Sequence, residues 1–137
     1  MYRLVLLLVF AGCARAEYRF ERIDGDRMVP LQLSFDGFSG SRDGAVVKAK
    51  GRFANGADVV TIDINVFLRP PAEFQSGTYT ATVAGKTNTG VVECPSLNFQ
   101  GGQTALPAVG GVFILKDEQN RPLYRVTIPA TTLSNSQ

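Results

Sequence analysis

Ala45-Val46-Val47-Lys48-Ala49-Lys50-Gly51-Arg52-Phe53-Ala54, then Asn55-Gly56, then Ala57-Asp58-Val59-Val60-Thr61-Ile62-Asp63-Ile64-Asn65-Val66 is the stretch that decides the fold class. Apolar and polar residues alternate on both sides of Asn55-Gly56, a dipeptide suited to a two-residue type I′ turn because both central residues need positive φ. If Ala54 faces Ala57, Val47 lies opposite Ile64, Ala49 opposite Ile62 and Gly51 opposite Val60. Lys48 and Lys50 then oppose Asp63 and Thr61 on the other face. One face is apolar and the other polar, as a sheet with one side on a core requires, and a one-residue slip of one strand would destroy the match.

Outward from this hairpin the same period recurs. Further strands are predicted at residues 17–23, 29–35, 78–84, 91–94 with a continuation to 99, 111–116 and 123–128. A hairpin across Asp117 to Arg121, with Asn120 left-handed, is predicted to set Ile114 against Tyr124 and Val112 against Val126. A four-residue loop near Gly85 to Gly90 would set Val83 against Val92 and Ala81 against Cys94, turning Cys94 inward. After residue 16 no apolar pattern holds helical spacing for three turns. About eight antiparallel strands with no helix to cover them must bury their faces on one another, which predicts an all-β, two-sheet sandwich, with a small β-barrel as the alternative. Pro70-Pro71 is expected to end the longest strand and begin a crossover between the sheets. The domain is expected over residues 17–130, with 131–137 as a flexible tail.

The 137 residues suffice for one domain, and the chain contains no His and no Trp. Without His, the commonest general base, metal ligand and partner for a Ser or Cys nucleophile are missing, so no catalytic set, metal site or cofactor is expected. Met1-Tyr2-Arg3 followed by apolar Leu4 to Phe10 is too short to span a bilayer and fits a secretory leader. Without residues 1–16 the chain loses Arg3 and Arg15, leaving 12 cationic against 12 acidic residues. That balance removes the electrostatic basis for nucleic-acid binding.

Phe10-Ala11-Gly12-Cys13 resembles the lipobox of bacterial lipoproteins, with Phe10 where Leu is usual. The resemblance is confined to the leader. It implies cleavage before Cys13, lipid attachment to that cysteine and, with Ala14 rather than Asp next, outer-membrane sorting. Ala14-Arg15-Ala16 offers the other cleavage, which would release a soluble secreted protein beginning at Glu17. Either way Cys94 has no intramolecular disulfide partner.

Several constellations have a bland and a sharp reading. Cys94-Pro95 reads as an inert buried thiol, or as a thiol that pairs between chains. Asp24-Gly25-Asp26, Asp36-Gly37 and Asp43-Gly44 read as turns; convergence on Ca²⁺ or a pair of catalytic carboxylates would need them in one place. Glu17 to Arg22 reads as an amphipathic first strand with Tyr18 and Phe20 in the core, or as a strand that pairs with another sheet edge. Phe38, Phe74 and Phe99 read as packing residues, or as a sugar-stacking platform. The segment from Gly101 to Gly111 reads as a cover for a sheet edge or, with the Pro70 to Gln75 segment, as a partner-binding surface. Its candidate contacts are Leu106, Pro107, Val109, Pro70, Pro71 and Phe74. The expectation is a non-enzymatic, lipid-anchored envelope module that binds a protein partner, and the alternative is a secreted module for a small ligand or carbohydrate.

Overall fold

The computed structural model describes residues 18–68, 71–101 and 107–135. The leader, including Cys13, and the candidate contacts Pro70 and Leu106 lie outside them. Ten strands follow in chain order: β1 (Arg19–Asp24), β2 (Arg27–Pro30), β3 (Ser34–Asp43), β4 (Val46–Asn55), β5 (Asp58–Phe67), β6 (Glu73–Val83), β7 (Lys86–Gln100), β8 (Ala108–Lys116), β9 (Pro122–Thr132) and β10 (Ser134–Asn135). The all-β class stands, but the strands do not divide into two sheets. They form one sheet in the order β10-β3-β4-β5-β6-β7-β8-β9-β1-β2, with every pairing antiparallel except β10 with β3. The expected crossover after Pro70-Pro71 is instead a hairpin connection, since β5 and β6 pair along their length from Val59↔Thr82 to Phe67↔Glu73.

A single sheet with one apolar face must curl to hide that face from water. The inward residues include Val47, Phe53, Val60, Ile62, Ile64, Val66, Tyr79, Phe113, Leu115 and Val126, all buried. Two devices join the ends of the curl. β10 begins one residue after β9 and pairs with the far end of the sheet, Ser134 opposite Ser39 and Asn135 opposite Gly40, while Ser134 Oγ donates to the Phe38 carbonyl at 3.2 Å. Above it, aromatic rings bridge β1 to β3 and β4: Phe20 lies 5.2 Å from Phe53, Phe35 4.7 Å from Phe53, and Tyr18 5.7 Å from Phe35. The ring of Phe38 lies over Gly51, where a Cβ would come within 2.8 Å of a ring carbon, so that crossing needs glycine. Residues 131–137 were expected to form a loose tail. In the structure Thr131 and Thr132 extend β9, Leu133 is buried and Ser134–Asn135 pair with β3, while residues 136–137 lie outside the described residues.

Turn chemistry moves three registers. Asn55 pairs with Asp58, so the turn residues are Gly56 and Ala57, and Gly56 alone of the two takes a positive φ (63°). Val47 therefore meets Val66, two residues from the expected partner, and every residue keeps its face. The β6–β7 turn is two residues, Ala84 and Gly85 at φ 53° and 79°, rather than a four-residue loop, and Asp58 Oδ1 accepts the Ala84 N–H at 3.0 Å. In the β8–β9 hairpin Asn120 is left-handed as expected (φ 66°). A register shift between Leu115 and Lys116 puts Leu115 against Tyr124 and Phe113 against Val126. That shift reverses the expected face of β8, so Phe113 and Leu115 point inward in place of Val112 and Ile114.

The β8–β9 turn is held by Asp117, whose Oδ1 accepts the backbone N–H groups of Gln119 and Arg121, both at 2.9 Å. The Arg121 N–H bond foremost, then the Gln119 bond and the Arg121 guanidinium, hold its carboxyl below the ordinary range against the opposing effect of desolvation. A group whose pKa is lowered by folding contributes stability above its unfolded value of about 3.9, and that stability is lost as pH falls through the folded value. Urea midpoints measured from neutral pH down into this acid range are expected to fall less steeply for Asp117→Asn than for the parent chain. Parallel curves would remove the carboxylate from this role.

Candidate functional site

Because neighbouring strands alternate in direction, the connections sort to two ends. The turns β1–β2, β4–β5, β6–β7 and β8–β9 lie at what we term the upper end; the connections β3–β4, β5–β6 and β7–β8 lie at the lower end. This topology brings the two predicted contact segments to the same end. It does not leave all of their residues at the surface. Val109 is 0% exposed and Pro107 is buried, its carbonyl accepting the Leu133 N–H at 3.1 Å. Val109 is a core residue because positions 109, 111, 113 and 115 share the inward face of β8. Pro71 is exposed, and Phe74 is half-buried with its ring 6.4 Å from Phe113. Leu68, Ala72, Leu97 and Phe99 are also half-buried against the core at this end.

Sequence reasoning missed the seam where the curled sheet meets itself. Backbone pairing does not close its upper half; rings and the segment from Leu31 to Leu33 cross there instead, with Leu31 N donating to Phe20 O at 2.8 Å and Asn55 Nδ2 to Gln32 O at 2.7 Å. A groove of about 910 Å³ follows this seam, lined among others by Tyr18, Phe20, Pro30, Leu31, Leu33 and Asn55. Beside it β2 is the last strand of the sheet, and among the described residues its outer edge has no neighbour. Tyr18, which lines the groove, is 39% exposed, and Met28, two residues before Pro30 on β2, is 42% exposed. Phe20 is in the core as expected, whereas Tyr18 is only ring-packed from one side. The signal for β2 was present in Asp24-Gly25-Asp26 followed by Arg27-Met28-Val29-Pro30, a turn and a short returning strand.

A second groove, of about 640 Å³, lies over the outer face of β3, β4 and β5. The register aligns Ser39, Lys50 and Asp63 in one cross-strand row and Ser41, Lys48 and Asn65 in the next. Lys50 and Asp63 approach at 3.7 Å, and Asn65 Nδ2 donates to Ser76 Oγ at 3.0 Å. This is a hydrogen-bonding surface on rigid strands.

The remaining candidates separate. Asp24 and Asp26 lie at the upper end and Asp43 at the lower, while Asp36 accepts from Arg52 at 2.6 Å; these carboxylates do not converge. Among the described residues no group of three or more Cys, Asp or Glu is arranged to hold a metal ion. Phe38 is buried, so Phe38, Phe74 and Phe99 form no common exposed platform. At the upper end burial, with the Asp117 charge next in effect, pushes the Tyr79 phenol up to about 12, which keeps it neutral.

No family model, curated protein or solved structure matches the chain.

Cys94 is half-buried and donates to the Ser96 carbonyl at 3.3 Å. Burial is the largest influence and pushes the thiol up to about 11. Since the thiolate is the reactive form, alkylation of the native protein at pH 8 is expected to be far slower than of the urea-unfolded chain. Equal rates, followed by mass spectrometry, would show that the fold does not protect it.

Proposed function

We propose that the protein is exported, lipid-anchored through Cys13 at the outer membrane, and works without catalysis as a protein-binding module of an envelope assembly. The leader supports the address, and the sheet end at β1 and β2 supports the mode of binding. The observation that carries the reading is the edge of β2, free among the described residues and carrying the exposed Met28, beside the seam groove that Tyr18 and Pro30 line. An extended segment of a partner pairs with such an edge through backbone hydrogen bonds and places side chains in the adjoining groove. The four-residue length of β2 and Pro30 at its end limit uncontrolled edge pairing with other copies.

A second reading, a module for a carbohydrate or small polar ligand, draws on the rows of Ser39, Lys50 and Asp63 and of Ser41, Lys48 and Asn65 along the outer groove. It calls for a thermal shift with a polar ligand that is lost in Lys50→Ala.

The two readings part at Met28. A photo-crosslinking residue placed at the neighbouring exposed Arg27 in living cells is expected to trap one protein species, and Met28→Pro in the same chain, which removes an outward-facing N–H of β2, is expected to reduce the crosslink strongly while leaving thermal unfolding nearly unchanged. Absence of a discrete crosslinked product would sink the edge-binding reading.

A further inference from the structure

We propose that Asn55 is a self-modifying site, whose side chain closes on the Gly56 nitrogen, loses ammonia and becomes an aspartate or isoaspartate, and that this change releases the segment from Leu31 to Leu33 that crosses the upper seam. The inference goes beyond the reading above and does not depend on export, lipid attachment or a partner.

Asn55-Gly56 is the one Asn-Gly pair in the sequence. Glycine offers no Cβ to crowd its own nitrogen, so ring closure by a preceding asparagine is least hindered there. Both residues are exposed at the β4–β5 turn, and among the described residues no acceptor holds the Gly56 N–H. Gly56 gives its amide proton to hydroxide, and the nitrogen attacks Asn55 Cγ. A succinimide forms as the Cγ–Nδ2 bond breaks, and ammonia leaves with a proton taken from water. Water then opens the ring. Cleavage of the new nitrogen–Cγ bond leaves aspartate, whereas cleavage of the original peptide bond leaves isoaspartate, with one more methylene in the main chain.

The side chain that reacts is also the one that ties the seam. Asn55 Nδ2 donates to the Gln32 carbonyl at 2.7 Å, while Leu31 N–H, on the same segment, donates to Phe20 O at 2.8 Å. The segment is thus held to β4 by Asn55 and to β1 by Leu31. A carbonyl only accepts, and an ionised carboxylate has no proton to donate, so conversion replaces a hydrogen bond with two oxygens facing each other. Asn55 also lines the seam groove, which gains a negative charge on its rim. Isoaspartate further lengthens the main chain at the pair Asn55↔Asp58 that closes the hairpin. Because ammonia is lost to solution, the seam loosens with the age of the molecule.

The test follows the purified folded chain, kept warm at pH 8, by peptide mass spectrometry and amide hydrogen exchange. Gly56→Ala serves as the slow variant: it keeps Asn55 and its tether, a Cβ at 56 meets nothing within 4 Å, and Ala84 already holds the matching turn position of β6–β7 at φ 53°. The parent is expected to gain the mass difference between water and ammonia at Asn55 several-fold faster than Gly56→Ala does. The aged parent and a freshly made Asn55→Asp are both expected to lose protection at the Leu31 amide several-fold while Phe113 on β8 keeps its own. Equal rates in parent and Gly56→Ala, or conversion of Asn55 only after unfolding in urea, overturns the site. Conversion that leaves Leu31 as protected as before overturns its coupling to the seam.

Discussion

The contact between Phe20 on β1 and Phe53 on β4 is the constraint on which the rest of the molecule depends. A ten-stranded sheet with one apolar face has no partner sheet and no helix to cover it among the described residues, so its own curvature must do the covering. Backbone pairing through β10 joins the lower part of the seam, but the upper part is joined by rings: Phe20 lies 5.2 Å from Phe53, and Tyr18 lies 5.7 Å from Phe35 and 6.1 Å from Phe53. If those rings did not meet, the inward faces of β1, β3 and β4 would open to water together.

The same closure explains why the molecule offers separate surfaces. A seam made of side chains leaves a groove and a free strand edge beside it, which a fully hydrogen-bonded barrel would lack.

Much of the fold was legible in the sequence, and the gaps have specific physical causes. Period-two alternation gave the all-β class and the correct faces of β4 and β5, because the register there moved by two residues and preserved the pleat. On β8 the shift beside Leu115 reversed the face, and Val109, read as part of a loop from Gly101 to Gly111, falls in the core because β8 begins already at Ala108. β3 was concealed by Asp36-Gly37, which reads as a turn but forms an irregularity within a strand, with Gly37 at φ 97° and the register broken between Phe35 and Phe38. The division into two sheets was expected because about eight strands with no helix must bury their faces on one another, a requirement that one curled sheet also meets; whether Pro70-Pro71 ends a sheet or only a strand is decided by long-range pairing that local chemistry does not encode. The seam was hidden for the same reason, since Tyr18 and Phe20 are distant in sequence from Phe35 and Phe53 and meet them only when the sheet curls.

The central claim is that ring contacts across the seam hold the curled sheet shut, and the most direct measurement is a double-mutant cycle between Phe20 and Phe53 by urea denaturation, using Phe20→Leu, Phe53→Leu and the pair. Rings 5.2 Å apart in an edge-on arrangement are expected to show a coupling of about 0.5–1.5 kcal/mol beyond the loss of buried area. Strictly additive losses would contradict the account, because they would mean that the two ends of the sheet are stabilised independently and do not meet through these residues.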